Sequence, residues 1–318
     1  MNINNILSLF DGMGCGRLAL DEAKISYNRY YASEIDKNAI ELTTRRFPDT
    51  IHLGSVTDID SNSLKDVDLL IGGSPCQGFS FAGKQLNFED PRSKLFFEFV
   101  RLKNELNPKY FLLENVMMKK EYINIISDHL GVGPIKINSN LVSAQNRLRL
   151  YWTNIPVRLP EDKNIKLSDI IEKDSDLSKY ILSDESLKKH GILEYKGIQD
   201  TCVFTETRTE NAKKIRREYK KLYGKDFSGR RDKVLVPRTD GKCNCLTTSL
   251  TKEHILNDNG IIRKLTPIEC ERLQTVKDLY TSGFSDNQRY KMLGNGWTVE
   301  VIAHIFKNLK ENKQIGLF

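Results

Sequence analysis

Two residues in the first half of this 318-residue chain have the types and settings needed to make and stabilise a covalent bond: Cys76, in GGSPCQGFS, and Glu114, in ENV. Each follows a short apolar run, DLLIGG before the thiol and KYFLLEN around the carboxyl. A free cysteine is commonly a small buried residue. Here, however, Gly72, Gly73 and Pro75 build a rigid turn that would present Cys76 beyond the end of its run. A thiolate nucleophile beside an acid is a tool for covalent catalysis. A second cluster lies nearer the start, where FDGMGCG puts three glycines on alternate positions. Such glycines permit a tight turn and let a ligand approach the backbone closely. Their spacing is not G-x-G-x-x-G, so they make a poor dinucleotide fingerprint. Glu34 follows about twenty residues on, where an acid can hold ribose hydroxyls. Together they fit a nucleoside cofactor without a pyrophosphate; the plainer alternative is a glycine-rich turn and a surface glutamate.

The elements around these residues set where they sit. NNILSL, RYYASE, DLLIGG and KYFLLEN read as strands ending in small or polar residues. GRLALDEAK, KNAIELTTRRF and RSKLFFEFVRLKNEL read as intervening helices. The alternation predicts an α/β fold, a doubly wound, mostly parallel sheet with helices on both faces. In such a sheet ligands bind beyond the carboxyl ends of the strands, and the glycine cluster, Glu34, Cys76 and Glu114 all fall at such ends. RLRLYWTN supplies a further strand near Pro156. From there to about Ile262 the chain is polar and irregular, and reads as a second, smaller, recognition-type domain. Helical pattern resumes at LTPIECERLQ, and TVEVIAHIFKNLKEN places Val299, Ile302, Ile305 and Phe306 on one face, fit to pack back on a core. The expected division is a catalytic and cofactor-binding part over 1–158, completed by 288–318, with the recognition domain over 159–287.

Charge is concentrated in that second part. Between Glu206 and Arg238 twelve Lys or Arg face five Asp or Glu, a surplus equal to the whole chain's net charge of +7. The spacing in NAKKIRREYKKLYGK suits a solvated helix laced with ion pairs; it also suits contact with a polyanion. Six cysteines are scattered at 15, 76, 202, 243, 245 and 270. Cys243 and Cys245 form only a C-x-C with no second pair at zinc spacing, so no metal site is expected and the two read as part of a strand or loop. The start lacks a basic leader, and no stretch approaches the roughly 18 apolar residues of a membrane span, so a cytoplasmic protein is expected.

FDGMGCG, SPCQGFSFAGKQLNFEDPR, ENV, QNRLRLYW, RKLTPIECERLQ and GNGWTVEV, in this order, resemble the motif series of the cytosine-5 DNA methyltransferases. They cover Leu7 to Ile302 apart from the middle domain. LSLFDG, LLIGGSPC, KLFFEFVRL and the Trp297 region are also similar to the catalytic domains of animal de novo methyltransferases, whereas PCQGFSFAGKQ resembles bacterial restriction-modification enzymes. A bacterial or phage enzyme with a de novo-like core is the reading. The resemblance implies a Rossmann-like methyltransferase fold using S-adenosyl-L-methionine. It assigns the cofactor to Phe10, Asp11, Gly12, Met13 and Gly14, to Glu34 and Ile35, to Ser55 and Val56, to Pro75 and Leu95, and to Asn295 and Trp297. Two departures stand out. The family often has an acid where LGSVTD puts Ser55, with Asp58 a candidate substitute, and its last motif usually reads GNSV rather than GNGW.

The resemblance also implies a mechanism. Cys76 would add to carbon 6 of cytosine and make carbon 5 nucleophilic. Glu114 would act at ring nitrogen 3. Arg149 would hold the cytosine carbonyl oxygen, with Arg147 supporting the site. The base would be flipped from double-stranded DNA under a loop over 78–92, with phosphates held by the basic middle segment. The expected agent is a monomer, with a cognate restriction endonuclease a candidate companion. Transfer RNA methylation and a silent DNA-binding regulator are the alternatives. No C-F-T tripeptide of the RNA branch is present, and Cys76, Glu114 and Arg149 are all retained.

Overall fold

In the computed structural model, which describes residues 2–75, 91–173, 176–227 and 232–309, the apolar runs of the first half form the centre of a seven-stranded sheet. Its strands are β1 (Asn2–Leu9), β2 (Ser26–Ser33), β3 (Ile51–Gly54), β4 (Val67–Gly73), β5 (Tyr110–Val116), β6 (Ile135–Asn138) and β7 (Leu148–Thr153). They are ordered β3-β2-β1-β4-β5-β7-β6. The pairs among β1 to β5 are parallel, and β7 runs antiparallel between β5 and β6. Helices α1 (Cys15–Glu22), α2 (Lys37–Arg46), α3 (Pro91–Leu106) and α4 (Lys120–Leu130) lie between successive strands.

The continuous apolar runs are explained by burial on both faces. Successive side chains of a strand point to opposite sides. Leu69 and Ile71 of β4, with Tyr110 and Leu112 of β5, therefore enter the core that also holds Ala19 and Leu20 of α1. Leu70, Phe111 and Leu113 enter the opposite core with Phe96 and Phe99 of α3 and Ile126 of α4. Each such side chain contributes about 1.5–3 kcal/mol through burial. The register then sets the chemistry: Gly73 lies beside Glu114, Glu114 beside Tyr151, and Val116 beside Arg149.

Beyond β7 come two short helices, α5 (Leu167–Ile170) and α6 (Asp184–His190), and a second sheet. Its strands are β8 (Thr201–Arg208), β9 (Lys233–Pro237), β10 (Ile255–Asp258) and β11 (Ile261–Lys264). They pair antiparallel in the order β11-β10-β8-β9. The stretch read as irregular thus contains an ordered sheet. Phe204, Leu235, Ile255 and Ile262 form its own core, while Val203 and Leu256 turn the other way into the main core. Helix α7 (Glu210–Tyr223) joins β8 to β9, with Thr209 as its N-cap and Gly224 ending it at φ 64°.

Helices α8 (Pro267–Leu273), α9 (Asp286–Asn295) and α10 (Val299–Lys307) close the described chain. TPIE starts α8 as a capping box with proline in the first turn, the side chains of Thr266 and Glu269 exchanging hydrogen bonds with each other's backbone. Val299, Ile302, Ile305 and Phe306 of α10 are buried in the main core, on the face their spacing predicts. Among the described residues no helix is long and apolar enough to cross a membrane.

Candidate active site

The sheet reverses direction of growth between β1 and β4, and ligand sites of open α/β sheets form at such switch points beyond the carboxyl ends of the strands. A cavity of about 400 Å³ opens there. Its wall brings together Phe10, Asp11, Gly12, Met13, Glu34, Ile35, Ser55, Val56, Pro75, Leu95, Glu114, Arg147, Arg149, Asn295 and Trp297. Gly14 is not on the wall. It caps α1 at φ 78°, a left-handed conformation that favours glycine, and a Cβ there would lie 3.1 Å from Thr43 Cγ2. Cys76 and residues 78–90 of the loop lie outside the described residues; Ser74 and Pro75, which lead into them, line the cavity.

At one end of the cavity the turn after β1 folds against Glu34. The Gly12 amide donates to Glu34 Oε2 at 2.8 Å, and the amides of Ile35 and Asp36 donate to Oε1 at 2.7 and 2.8 Å. A carboxylate offers roughly four acceptor sites, so one remains for a ligand hydroxyl. Ile35 is 74% exposed, an apolar side chain lying uncovered beside that acid. Asp11 is buried, takes the Tyr30 hydroxyl at 2.7 Å, and is pushed up to about 6 by burial, against the pull of hydrogen bonds from Ser8 and Tyr30. Ser55 caps a short 3-10 turn, its hydroxyl 2.7 Å from that of Thr57. Asp58 accepts from Thr57 at 2.9 Å and is not on the wall.

At the other end each oxygen of Glu114 has a partner. Arg149 Nε lies 3.0 Å from Oε1, and the Trp297 indole N–H donates to Oε2 at 3.1 Å. This packing needs Gly73, since a Cβ there would come within 2.9 Å of Trp297 Nε1 and 3.1 Å of Glu114 Oε2. Arg147 is buried and donates to the carbonyls of Leu246, Gly294 and Gly296 at 3.1, 3.2 and 2.8 Å. It thereby ties down the turn that carries Asn295 and Trp297. Both guanidiniums also donate to the sulfur of Cys245, each at 3.4 Å.

Several wall residues were not singled out from the sequence. Lys291 pairs with Asp36 across the cavity mouth, and Cys15 lines the wall as a buried thiol pushed up to about 12 by burial. Cys245 belonged to a C-x-C read as strand or loop. It lies in a loop, beside an isolated bridge between Gln145 and Cys243, and only the fold brings it to Arg147 and Arg149. Among the described residues no group of three or more His, Cys, Asp or Glu could hold a metal.

The model of the C-5 cytosine-specific DNA methylases matches residues 4–311. The type II methyltransferase M1.ScrFI of Lactococcus lactis subsp. cremoris is 31% identical over 332 residues, covering 96% of this chain and 78% of its own. The type II methyltransferase M.HhaI of Haemophilus parahaemolyticus is 27% identical, with 95% and 93% covered. The orphan methyltransferase M.SPRI of Bacillus phage SPR is 26% identical, with 96% and 97% covered. Among solved structures, the Entamoeba histolytica methyltransferase EhMeth superposes with a TM-score of 0.69 at 20% identity, with 98% of each chain covered. Dnmt2 methyltransferase of S. pombe superposes with a TM-score of 0.67 at 18% identity, with 99% of this chain and 100% of that one covered. These two likenesses show the shared fold.

Proposed function

Because this chain belongs to the C-5 cytosine-specific DNA methylases and is a cytosine-5 DNA methyltransferase, we propose that it uses S-adenosylmethionine and a covalent Cys76 adduct to methylate a base flipped out of double-stranded DNA. The arrangement of Glu114 supports this reading most. A buried carboxyl stands at the strand edge beside the Ser74–Pro75 lead-in to Cys76, held by one guanidinium and one indole N–H.

The wall suits the cofactor. Glu34 would take a ribose hydroxyl, Phe10 and Ile35 would cover the adenine, and Asp11 would face positive charge; Ser55 would offer the adenine a hydroxyl in place of an acid. When bound, S-adenosylmethionine supplies a methyl group on a positively charged sulfur, an electrophile. The chain's own residues make the base receptive. The Cys76 thiolate adds to carbon 6 and pushes electron density onto carbon 5. Glu114 shares a proton with ring nitrogen 3, and Arg149 steadies the carbonyl oxygen as charge develops. Loss of the carbon 5 proton then restores the double bond and expels the thiolate.

The second sheet and α7, within 159–287, would form the target-reading part. The catalytic part is 1–158 with 288–318, and the protein would act as a monomer. Kinship with type II methyltransferases is compatible with a companion restriction endonuclease, and kinship with an orphan phage enzyme with a solitary role. DNA carrying 5-fluorocytosine at the target tests the chemistry, since fluorine cannot leave as a cation and elimination stalls. The expected product is a cofactor-dependent adduct that survives denaturing electrophoresis and maps to the Cys76 peptide. Cys76→Ser forms none, a hydroxyl being a far poorer nucleophile, and Glu114→Gln traps slowly. An adduct on Cys202 or Cys243, or full turnover by Cys76→Ser, overturns the mechanism.

A further inference from the structure

Two guanidiniums side by side repel one another unless an anion lies between them. Arg149 Nε lies 3.0 Å from Glu114 Oε1, its Nη1 donates to the Leu148 carbonyl at 2.9 Å, and its Nη2 donates to the sulfur of Cys245 at 3.4 Å. Arg147 donates to three neutral carbonyl oxygens and forms no ion pair with a carboxylate among the described residues. Its remaining contact is the same sulfur. We propose that Cys245 is a positioning residue for the methylation reaction, its sulfur serving as the anion that holds Arg147 and Arg149 together and sets the angle of Arg149 toward Glu114 and the base. The proposal rests on the roles given above to Arg149 and Glu114.

The sulfur is placed by backbone rather than by a free rotamer. The Cys243 amide donates to the Ala144 carbonyl at 2.6 Å, the Asn146 amide donates to the Cys243 carbonyl at 2.9 Å, and the Leu246 amide donates to Gln145 Oε1 at 2.8 Å. The 243–246 segment is thus stitched to residues 144–146, the stretch that leads through Arg147 into β7 and Arg149. Its neighbours leave no other charge in place of the guanidiniums. His254 contacts the Cys245 carbonyl through Nε2 at 3.1 Å and is held by burial below its ordinary value, toward the neutral form. Cys243 is buried and pushed far up, hence a neutral thiol, and Glu114 is paired with Arg149 at Nε, whereas the sulfur meets its Nη2. At Cys245 itself burial opposes ionisation, but the charges of Arg147 and Arg149 outweigh it and bring the thiol below its ordinary value. A thiolate here also exchanges charge-assisted contacts, the stronger kind, with both donors.

Steady-state kinetics of Cys245→Ser and Cys245→Ala separate charge from packing. Serine keeps size and an acceptor oxygen but stays neutral, so it also serves if the alanine variant folds poorly. Both variants are expected to lose kcat by about tenfold or more with the cofactor KM changed by less than about twofold, the pattern of a lost transition-state contact. A spectroscopic readout accompanies this. Thiolates absorb near roughly 240 nm, so the difference between Cys76→Ser and the Cys76→Ser/Cys245→Ser double variant isolates one thiol. That thiol is expected to ionise at a pH below the ordinary cysteine range. Wild-type kcat in Cys245→Ser, or a thiolate forming only above pH about 9, overturns the proposal. Failure of the wild-type enzyme to form the 5-fluorocytosine adduct would instead indict the underlying mechanism, while the absorbance difference would still report the charge on Cys245.

Discussion

Asp11 and Glu114 are two buried carboxyls on one cavity with opposite surroundings. Glu114 is met by Arg149 and Trp297, whereas Asp11 has hydroxyl partners, with burial raising it to about 6. The sign of the Asp11 shift matters. Its folded value lies above the unfolded one near 3.8, so between these values the folded protein holds a proton that the unfolded chain releases, and stability falls as pH rises. A cationic ligand beside the ionised group recovers that cost. Cofactor affinity is therefore expected to strengthen by up to about tenfold between pH roughly 5 and 7, one pKa unit being a factor of ten, and to level off above. In Asp11→Asn, which can still accept from Tyr30, the pH dependence should vanish. Titration calorimetry across that range decides the matter, and an unchanged slope in Asp11→Asn would remove Asp11 from the cofactor site. Cys245 belongs at this scale too. Its partners lie 98 and 96 residues away in sequence, so no local pattern could have revealed it, whereas the setting at strand ends of Glu114, and of the Ser74–Pro75 turn that leads toward Cys76, was legible because both follow apolar runs.

At the scale of elements, α7 carries six Lys or Arg against two Glu, the larger part of the charge surplus, on an exposed surface with only Ala212 buried. Lys213 pairs with Glu210 and Arg216 with Asp226, at 2.7 and 2.9 Å. Such exposed pairs are worth about 0–1 kcal/mol and can be exchanged for phosphate. Lys213, Arg216 and Arg217 line a shallow depression of about 640 Å³ together with Arg208 and Lys233, while Lys214 does not. Changing the first three to Gln should weaken DNA binding and lower its salt slope by about 0.9 per lost phosphate contact. Lys214→Gln alone should leave the slope in place. Binding isotherms at several salt concentrations provide the check, and an unaltered slope in the triple variant returns α7 to a solvated face. The sheet beside it was illegible for a physical reason. TCVFTETR is half polar, and its adjacent Val203 and Phe204 serve two different cores, so no amphipathic alternation stands out. One signal was there to be read: Asn259–Gly260 between two apolar runs forms a tight hairpin, with φ of 49° and 91°, the pairing that suits a type I′ turn.

At the scale of the whole molecule, the question is how a chain that leaves the large sheet, builds a smaller one and returns keeps both in register. Lys242 supplies one answer. Its side chain is buried, and the ammonium donates to the carbonyls of Asn140, Ser143 and Ile165 at 2.8, 3.1 and 2.6 Å. All three of its protons are thereby used. Asn140 and Ser143 lie between β6 and β7, Ile165 on the outgoing connection, and Lys242 on the return from β9, so one charge ties together three passages of chain between the sheets. Burial holds the Lys242 ammonium below its ordinary value, and the three carbonyls offset that cost while it stays protonated. Lys242→Met keeps the length and the apolar stem but leaves three acceptors without their donor. Each buried unsatisfied group costs about 1–3 kcal/mol, and partial relaxation toward water brings the expected total loss to about 2–4 kcal/mol in chemical denaturation. The functional signature should differ from that of a site variant. On the proposed assignment most cofactor contacts lie at the β1, β2 and β4 ends, none of which Lys242 touches, so cofactor affinity should hold within about twofold, about 0.4 kcal/mol. Turnover on DNA should fall, because the loosened passage carries Cys245 and the contacts to Arg147 and Arg149. Full stability in Lys242→Met, or a fall in cofactor affinity as large as the fall in turnover, would show that this lysine does not hold the two sheets in register.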